Sequence, residues 1–221
     1  MAIRGILFDF DGTLGNTTPL ILATFHKTLE HYLGRDYGIS DQEIINTFGL
    51  PLREGLARFI GADNIEEKVS YYRHYNNAWH DSMIQSFPEV GDGCAQIQAA
   101  GIPQIIVTSK LHDSCLRGLR CIGLDKYMNQ IVGCEQCSDH KPNPEPMEKG
   151  AEALGFAPAE CLCVGDSPFD MMSGNRAGCT TVKVNWTSFL QESFIGEAKP
   201  DYSIDKLVDL LDIIQNLNQK R

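Results

Sequence analysis

The chain has no surplus of basic residues. Its 221 residues include 19 lysines and arginines against 29 aspartates and glutamates, which gives a net charge of −10. A protein that binds duplex nucleic acid needs a cluster or stripe of basic side chains, and the sequence shows none. We therefore expect no nucleic-acid partner, whereas a small anion could still bind beside a local cation.

Long apolar runs are also missing. The largely apolar opening segment Ile3–Phe8 is followed by Asp9 and Asp11, and it is too short for a membrane span or for the apolar part of a secretion signal. We therefore expect no membrane association. The eight cysteines are accordingly predicted to be reduced thiols of a cytoplasmic protein.

Short apolar runs alternate with longer amphipathic stretches, which is typical of an α/β fold with a parallel sheet. Because the runs are apolar on both faces, helices should cover both sides of the sheet. We therefore predict a doubly wound, Rossmann-like core. Its predicted strands are Ile3–Phe8, Gln104–Thr108, Asn129–Val132, Cys161–Val164, Thr180–Val184 and Tyr202–Ile204.

One block interrupts this alternation. Between Gly15 and Met83 we find helical periodicity and no convincing strand, which indicates an all-helical insertion after the first strand. The predicted helices of this block are Pro19–Leu33, Asp41–Phe48, Leu52–Ile60 and Ile65–Met83.

The insertion suggests a division of the chain into a core and a cap. We predict an α/β core made of residues 1–14 and 86–221, and a helical cap made of residues 15–85. The two would be joined near Gly15–Thr18 and near Ser86–Gly91, where the residues suit a hinge. The last helix is predicted over Asp205–Asn218.

Two acids follow the first predicted strand. Open α/β sheets bind ligands at the carboxyl ends of their strands, and residues two apart on a strand point the same way. Asp9 and Asp11 should therefore share one crevice, with Phe8 and Phe10 turned into the core, and Gly12 lets the chain leave the strand sharply. Because close carboxylates repel unless a cation is present, and oxygen ligands suit Mg²⁺, we predict a magnesium site.

Polar residues also follow two other predicted strands or their connections. Thr108 and Ser109 stand between a strand and a helix, where hydroxyl and backbone donors can bind an anion. Lys141 precedes Pro142, which holds it in extended backbone. Taken alone, these signals are equally typical of a helix cap and a surface turn.

A third acid follows the strand Cys161–Val164. Asp166 would lie at the same sheet edge as Asp9, whereas Asp170 has two interpretations. It is the third residue of a helix capped by Ser167, so it could belong to the functional set or only to the cap of that helix.

Taken together, the four motifs resemble those of the haloacid dehalogenase superfamily of phosphotransferases, over essentially the whole chain, and the helical block matches the cap in that family's first insertion position. The motifs are Asp9-x-Asp11-Gly12-Thr13, Thr108, Lys141 and Gly165-Asp166-Ser167-x-x-x-Asp170.

More narrowly, the chain resembles the bacterial phosphoglycolate phosphatase and inorganic pyrophosphatase branch. It departs from that branch at Gly15-Asn16-Thr17-Thr18, where an Asp-Ser pair is usual. The shared features are Phe48-Gly49-Leu50-Pro51-Leu52, Tyr72-Arg73-x-x-Asn76-x-x-x-His80-Asp81 and Lys141-Pro142-x-Pro144-Glu145-Pro146.

The resemblance implies a Mg²⁺-dependent phosphatase acting on a small phosphorylated metabolite: phosphoglycolate, a sugar phosphate or pyrophosphate. Asp9 would be the nucleophile that forms an aspartyl-phosphate, and Asp11 the general acid and base. Mg²⁺ would be held by Asp9, the backbone carbonyl of Asp11, and Asp166. Phosphoryl oxygens would be bound by Thr108, Ser109, Lys141 and Gly12, with Asp170 orienting the network.

Residues that bind the leaving group should come from the cap. Arg73, Asn76 and His80 are three and then four residues apart, so they form one stripe of a helix. This stripe could equally be a solvated face, and Arg53 is a further candidate. The neighbouring stripe of Tyr72, Tyr75 and Trp79 is predicted to be core.

Other functions stay open at this stage. A sugar-phosphate mutase would use the same residues with a cap that excludes water, and a non-catalytic phosphate-binding module would be favoured only if Asp9 or Asp11 were replaced. A metal-free dehalogenase would not need Asp11. Cys134 and Cys137, with Cys161 and Cys163, have a spacing compatible with zinc, but core thiols suit a buried strand better. The sequence does not distinguish a monomer from a dimer.

Overall fold

The computed structural model describes residues 2–219 of the chain. Within them, six parallel strands form one sheet in the order β5-β4-β1-β6-β7-β8, and β2 and β3 form a separate antiparallel pair. The strands are β1 Gly5–Phe8, β2 Gly15–Asn16, β3 Gln85–Ser86, β4 Gln104–Val107, β5 Ile131–Val132, β6 Cys161–Gly165, β7 Thr180–Val184 and β8 Tyr202–Ile204.

Helices cover both faces of the sheet, which confirms the predicted doubly wound α/β fold. In β1, Ile6 and Phe8 belong to one buried apolar cluster, and Leu7, which lies between them in sequence, belongs to a second cluster. The helices are α1 Thr18–Leu33, α2 Asp41–Ile45, α3 Leu52–Ile60, α4 Ile65–Met83, α5 Val90–Ala99, α6 His112–Cys121, α7 Glu145–Leu154, α8 Pro168–Ala177 and α9 Asp209–Gln219.

Helices α1 to α4 surround an apolar cluster of their own. Phe25 and Leu29 of α1 pack there against Leu56 of α3 and Tyr72 of α4. Contrary to the prediction of a strand-free block, Gly15 pairs with Ser86 and Asn16 with Gln85. This ribbon lies where residues 14/15 and 85/86 were predicted to separate core from cap, and that division stays a prediction.

Predicted strand ends differ by at most two residues from those observed, whereas two predicted helix ends are wrong by three or four residues. The last helix begins at Asp209, not at Asp205, because the Asp209 carboxylate accepts hydrogen bonds from the amides of Asp205 and Lys206 and folds this segment into a turn. Helix α2 ends at Ile45, where the Thr47 hydroxyl donates to the Ile44 carbonyl at 2.7 Å and the chain turns.

The cysteines are free thiols. Cys161 and Cys163 are buried in one cluster, as predicted for core residues. Among the described residues, no helix combines the length and the apolar character needed to cross a bilayer.

Candidate active site

Lys141 lies at the centre of the acidic residues at the sheet edge. Its ammonium group donates to Asp9 Oδ1 at 2.7 Å, to Asp170 Oδ1 at 2.6 Å and to the Val107 carbonyl at 2.7 Å. The residue is only 3% exposed. Burial lowers the pKa of Lys141, but Asp170 and Asp9 outweigh burial and hold the pKa above its ordinary value, so the side chain is a cation.

Asp170 uses its two carboxylate oxygens for two different contacts. Its Oδ2 accepts from the Ser167 amide at 3.1 Å and from the Ser167 hydroxyl at 2.6 Å, and Ser167 Oγ accepts from the Asp170 amide at 3.2 Å. This reciprocal capping box starts α8 and leaves Oδ1 for Lys141. Both carboxylate oxygens are therefore occupied, one by the cap of α8 and the other by Lys141.

Asp166 is the acid with room for a ligand. Asp9, Asp166 and Asp170 are buried, and one carboxylate oxygen from each lies within 4.8 Å of the others. Within residues 2–219, the only hydrogen-bond contact of the Asp166 carboxylate is with the Thr187 hydroxyl, at 3.5 Å. Gly12 makes room for it, because a Cβ at Gly12, where φ is +84°, would lie 2.3 Å from Asp166 Oδ2.

The charges of this centre fit a divalent cation. With all three carboxylates ionised, they and the one ammonium group would carry a formal charge of −2. Burial raises the pKa of Asp9 to about 7 despite the opposing charge of Lys141, and burial also raises the pKa of Asp166. Because buried carboxylates need cations and carboxylate oxygen is a preferred ligand of Mg²⁺, the donor set suits that ion.

Asp11 has a partner that the sequence did not reveal. Lys110 donates from Nζ to Asp11 Oδ1 at 2.8 Å, and both side chains are partly exposed beside the buried centre. The signal available in the sequence was the position of Lys110, directly after Thr108 and Ser109 at the end of β4.

The predicted phosphate-binding residues differ in availability. Thr108 is buried at the end of β4, and the Ser109 hydroxyl donates to the Gly49 carbonyl at 2.8 Å. The Gly12 amide donates to the Gly15 carbonyl at 2.8 Å. Gly12 therefore does not match its predicted role as an anion donor, and its contribution is the space for Asp166.

A cavity of about 310 Å³ lies between these residues and helices α1, α3 and α4. Asp9, Asp11 and Asp166 line it on the core side. From the cap candidates, Arg53, Arg73 and Asn76 line it as well. Further lining residues, which were not predicted to contact substrate, include Tyr72, Lys110, Cys134 and His140.

His80 is not among the residues that line the cavity, so its predicted contact with substrate does not match the structure. Its ring is buried, and Nδ1 pairs with Asp81 Oδ1 at 2.8 Å. Arg117 of α6 donates to the same Asp81 oxygen at 2.8 Å. The end of α4 is thus fixed against α6, and this contact turns His80 away from the stripe that faces the cavity.

The aromatic stripe is also divided. Tyr72 is buried and lines the cavity. Tyr75 and Trp79 are only partly buried and pack against each other, with ring centroids 5.3 Å apart. The prediction that all three belong to the core is therefore wrong for Tyr75 and Trp79.

A family model and individual relatives assign the chain to the same family. The family model described as haloacid dehalogenase-like hydrolase matches residues 6–184. The chain is 36% identical to pyrophosphatase PpaX of Halalkalibacterium halodurans over 97% of this chain and 98% of that protein. It is 34% identical to pyrophosphatase PpaX of Bacillus mycoides over 99% and 100%.

Among solved structures, a haloacid dehalogenase-like family hydrolase from Streptococcus pneumoniae superimposes with a TM-score of 0.83 at 25% identity, covering 96% of this chain and 99% of that one. The β-phosphoglucomutase of Clostridium difficile has a TM-score of 0.79 at 20% identity and covers 99% and 98%. This second likeness shows the fold alone.

Proposed function

Because the chain belongs to the haloacid dehalogenase-like hydrolase family, we propose that it is a Mg²⁺-dependent phosphatase of small phosphate compounds, with pyrophosphate as its first candidate substrate. The observation that carries this proposal is the buried set of three carboxylates around Lys141, in which Asp166 is free to take a ligand. The names of the PpaX relatives favour pyrophosphate.

In the proposed reaction, a carboxylate oxygen of Asp9 attacks phosphorus and the bond to the leaving oxygen breaks. Asp11 donates a proton to that oxygen, and then takes a proton from the water that hydrolyses the aspartyl-phosphate. Thr108 and the Ser109 amide would hold phosphoryl oxygens. Mg²⁺, held by Asp9, Asp166 and the Asp11 carbonyl, would offset negative charge so that an anionic nucleophile can approach.

Lys141 prepares Asp9 for this attack. It fixes Oδ1 of the carboxylate at 2.7 Å, and Asp170 keeps the ammonium group in place. The nucleophile is therefore held in one orientation before substrate binds, which lowers the entropic cost of the attack. We further propose that the protein works in the cytoplasm on a small metabolite, without a nucleic-acid or membrane partner.

The proposal is tested by release of inorganic phosphate from pyrophosphate and from a panel of phosphate monoesters. We expect turnover with Mg²⁺ and none in excess chelator. A mutase would instead convert one sugar phosphate into its isomer with little release of phosphate. Failure to release phosphate from any compound in the panel would reject the phosphatase assignment.

Mg²⁺ should also stabilise the fold. At a concentration of about 100 times its Kd, a ligand adds roughly 2.7 kcal/mol, which corresponds to an increase in Tm of about 5–10 °C for a chain of this size. The pKa of Asp9 is raised from 3.8 to about 7, so the cation-free fold binds more protons than the unfolded chain and loses stability as pH rises between these values.

The increase in Tm should therefore be larger at about pH 8 than at about pH 5. Thermal unfolding with Mg²⁺ and with chelator at both pH values measures it, and Asp166→Asn, which removes a proposed ligand, should lose most of the increase. Equal Tm values with and without Mg²⁺ at pH 8 would contradict the metal site.

Asp11→Asn should slow turnover more for alkyl phosphates than for aryl phosphates. Only a poor leaving group needs a proton in the transition state, and general acid catalysis contributes roughly 10²–10⁴-fold. The measurement is kcat for the two substrate classes in wild type and variant. Equal losses for both would assign Asp11 to a structural role through its ion pair with Lys110.

Arg73 is the cavity cation best suited to an anionic leaving group. Lys141, Lys110 and Arg53 each pair with acids, whereas Arg73 has no ion-pair partner among residues 2–219. Arg73→Ala should raise KM for pyrophosphate about tenfold or more, the effect of losing one charge-assisted hydrogen bond of roughly 1.5–3 kcal/mol. KM for an aryl phosphate should change little.

Arg53→Ala is the matched control for this measurement. Arg53 also lines the cavity, but its guanidinium is engaged by Glu66 at 2.6 Å, so a smaller increase in KM is expected. An unchanged KM in Arg73→Ala, together with an increase in Arg53→Ala, would reverse the assignment.

A further inference from the structure

The cavity is larger than a pyrophosphate needs. Its volume of about 310 Å³ reaches the range of roughly 300–1,000 Å³ in which proteins enclose drug-sized organic ligands. Pyrophosphate is smaller and presents only oxygen atoms on its surface. The remaining space, on the cap side of the carboxylates, would not be used by that substrate.

The walls of this remaining space are mainly apolar. Phe25 of α1 and Tyr72 of α4 are nearly fully buried there, while Arg53 and Arg73 are exposed. We call the apolar part of the wall the cap chamber; it is formed by Ile21, Phe25, Phe48, Leu50, Leu52 and Tyr72.

Two polar side chains beside the cap chamber already have partners. The Thr47 hydroxyl donates to the Ile44 carbonyl at 2.7 Å, and the Asn76 amide donates to the Thr24 hydroxyl at 3.4 Å. The aliphatic and aromatic carbon atoms of the chamber wall form no hydrogen bonds, so a charged leaving group would lose hydration there, whereas burial of carbon is favourable.

Gly55 keeps the chamber open at a cost to its helix. It is buried in α3 and lines the cavity. A Cβ at Gly55 would lie 3.5 Å from Phe25 and 3.5 Å from Thr47, which is ordinary contact, so neither backbone conformation nor crowding demands glycine. Alanine would stabilise the helix by about 1 kcal/mol, and the space that glycine leaves instead belongs to the cavity.

We propose that the cap chamber binds the carbon portion of an organic leaving group, so that the protein also hydrolyses phosphate monoesters of compact, uncharged, mainly apolar alcohols. This inference rests on the proposed phosphatase function. The reaction is unchanged. Asp9 attacks phosphorus, the alcohol leaves with a proton from Asp11, and water then hydrolyses the aspartyl-phosphate.

The chamber is tested by the binding of n-alkylphosphonates from methyl to butyl in the presence of Mg²⁺. Their carbon–phosphorus bond is not hydrolysed, so isothermal titration calorimetry measures binding apart from turnover. We expect Kd to fall about fourfold for each added methylene, the effect of burying one methylene in an apolar site. A Kd independent of chain length would overturn the proposal.

Variants at Gly55 test whether the alkyl group of the phosphonate binds in the cap chamber. Gly55→Val should remove most of the gain from methyl to butyl, and Gly55→Ala a smaller part, which keeps the test valid if the valine variant does not fold. Ala78→Val, at an exposed position of α4 outside the cavity lining, should keep the wild-type gain. If both Gly55 variants keep the full gain in affinity from methyl to butyl, the alkyl group binds elsewhere and the chamber is rejected.

Turnover is measured separately with pyrophosphate and n-butyl phosphate. Butyl phosphate hydrolysis together with the chain-length dependence supports the proposal. Hydrolysis of pyrophosphate without any chain-length dependence rejects the chamber but not the phosphatase. Absence of turnover for n-butyl phosphate would reject the second substrate class, whereas the phosphatase assignment is rejected only if no compound of the panel releases phosphate.

Discussion

Asp9→Asn should lower kcat for pyrophosphate by roughly 10⁴-fold or more while the protein stays folded. An amide oxygen is a far weaker nucleophile than a carboxylate, and loss of a covalent nucleophile costs enzymes this much or more. Asparagine keeps the shape of the side chain and an oxygen that can accept from Lys141. It also removes one negative charge from a centre that has an excess of them, so Tm without Mg²⁺ should not fall.

The measurement is steady-state phosphate release together with thermal unfolding. Asp36→Asn makes the same chemical change at an exposed position and should retain wild-type kcat. In wild type, rapid quenching with labelled substrate should trap phosphate on the protein, and in the variant it should not. An Asp9→Asn protein with full activity would reject the aspartyl-phosphate mechanism.

Lys141→Gln should destabilise the fold by about 3–5 kcal/mol, because removal of one partner from a buried ion pair leaves uncompensated charge. Three buried carboxylates would lose the cation that contacts two of them at 2.7 and 2.6 Å. For a chain of this size the loss corresponds to a fall in Tm of roughly 6–20 °C. Thermal unfolding in chelator isolates the effect from that of Mg²⁺.

A second substitution tests whether uncompensated carboxylate charge causes the fall in Tm of Lys141→Gln. Asp170→Asn in the Lys141→Gln background removes one of the unpaired charges and should recover part of the lost Tm without restoring turnover. Lys199→Gln, at an exposed lysine, should leave Tm within about 1–2 °C, since surface substitutions usually change stability by less than 0.5 kcal/mol. A Tm of Lys141→Gln equal to that of wild type would show that the lysine does not compensate these carboxylates.

The buried part of the candidate site follows from the sequence through sheet geometry. Asp9 and Asp166 come after β1 and β6, which are neighbours in the sheet, and Thr108 follows β4 on the other side of β1. Because all three strands are parallel, their carboxyl ends meet at one edge. A residue just beyond each strand is therefore brought to the same place, whatever its distance along the chain.

Sheet geometry does not determine contacts that depend on individual side-chain conformations. Lys110 reaches Asp11 across 99 residues, and no periodicity specifies such a pair. Helical spacing assigned His80 to the stripe of Arg73, but it carries no information about the packing of α4 on α6. Strands as short as Gly15–Asn16 contain too few residues to show alternation, so the ribbon with β3 left no pattern to detect.

That ribbon has an evolutionary consequence. The segment between Gly15 and Ser86 begins and ends at two residues that are paired neighbours in this ribbon. A segment whose two ends are adjacent can become longer or shorter, or be replaced, without moving the strands of the parallel sheet. Related proteins can therefore acquire new substrates by changes in the segment between Gly15 and Ser86, while the residues proposed to act on phosphorus stay the same.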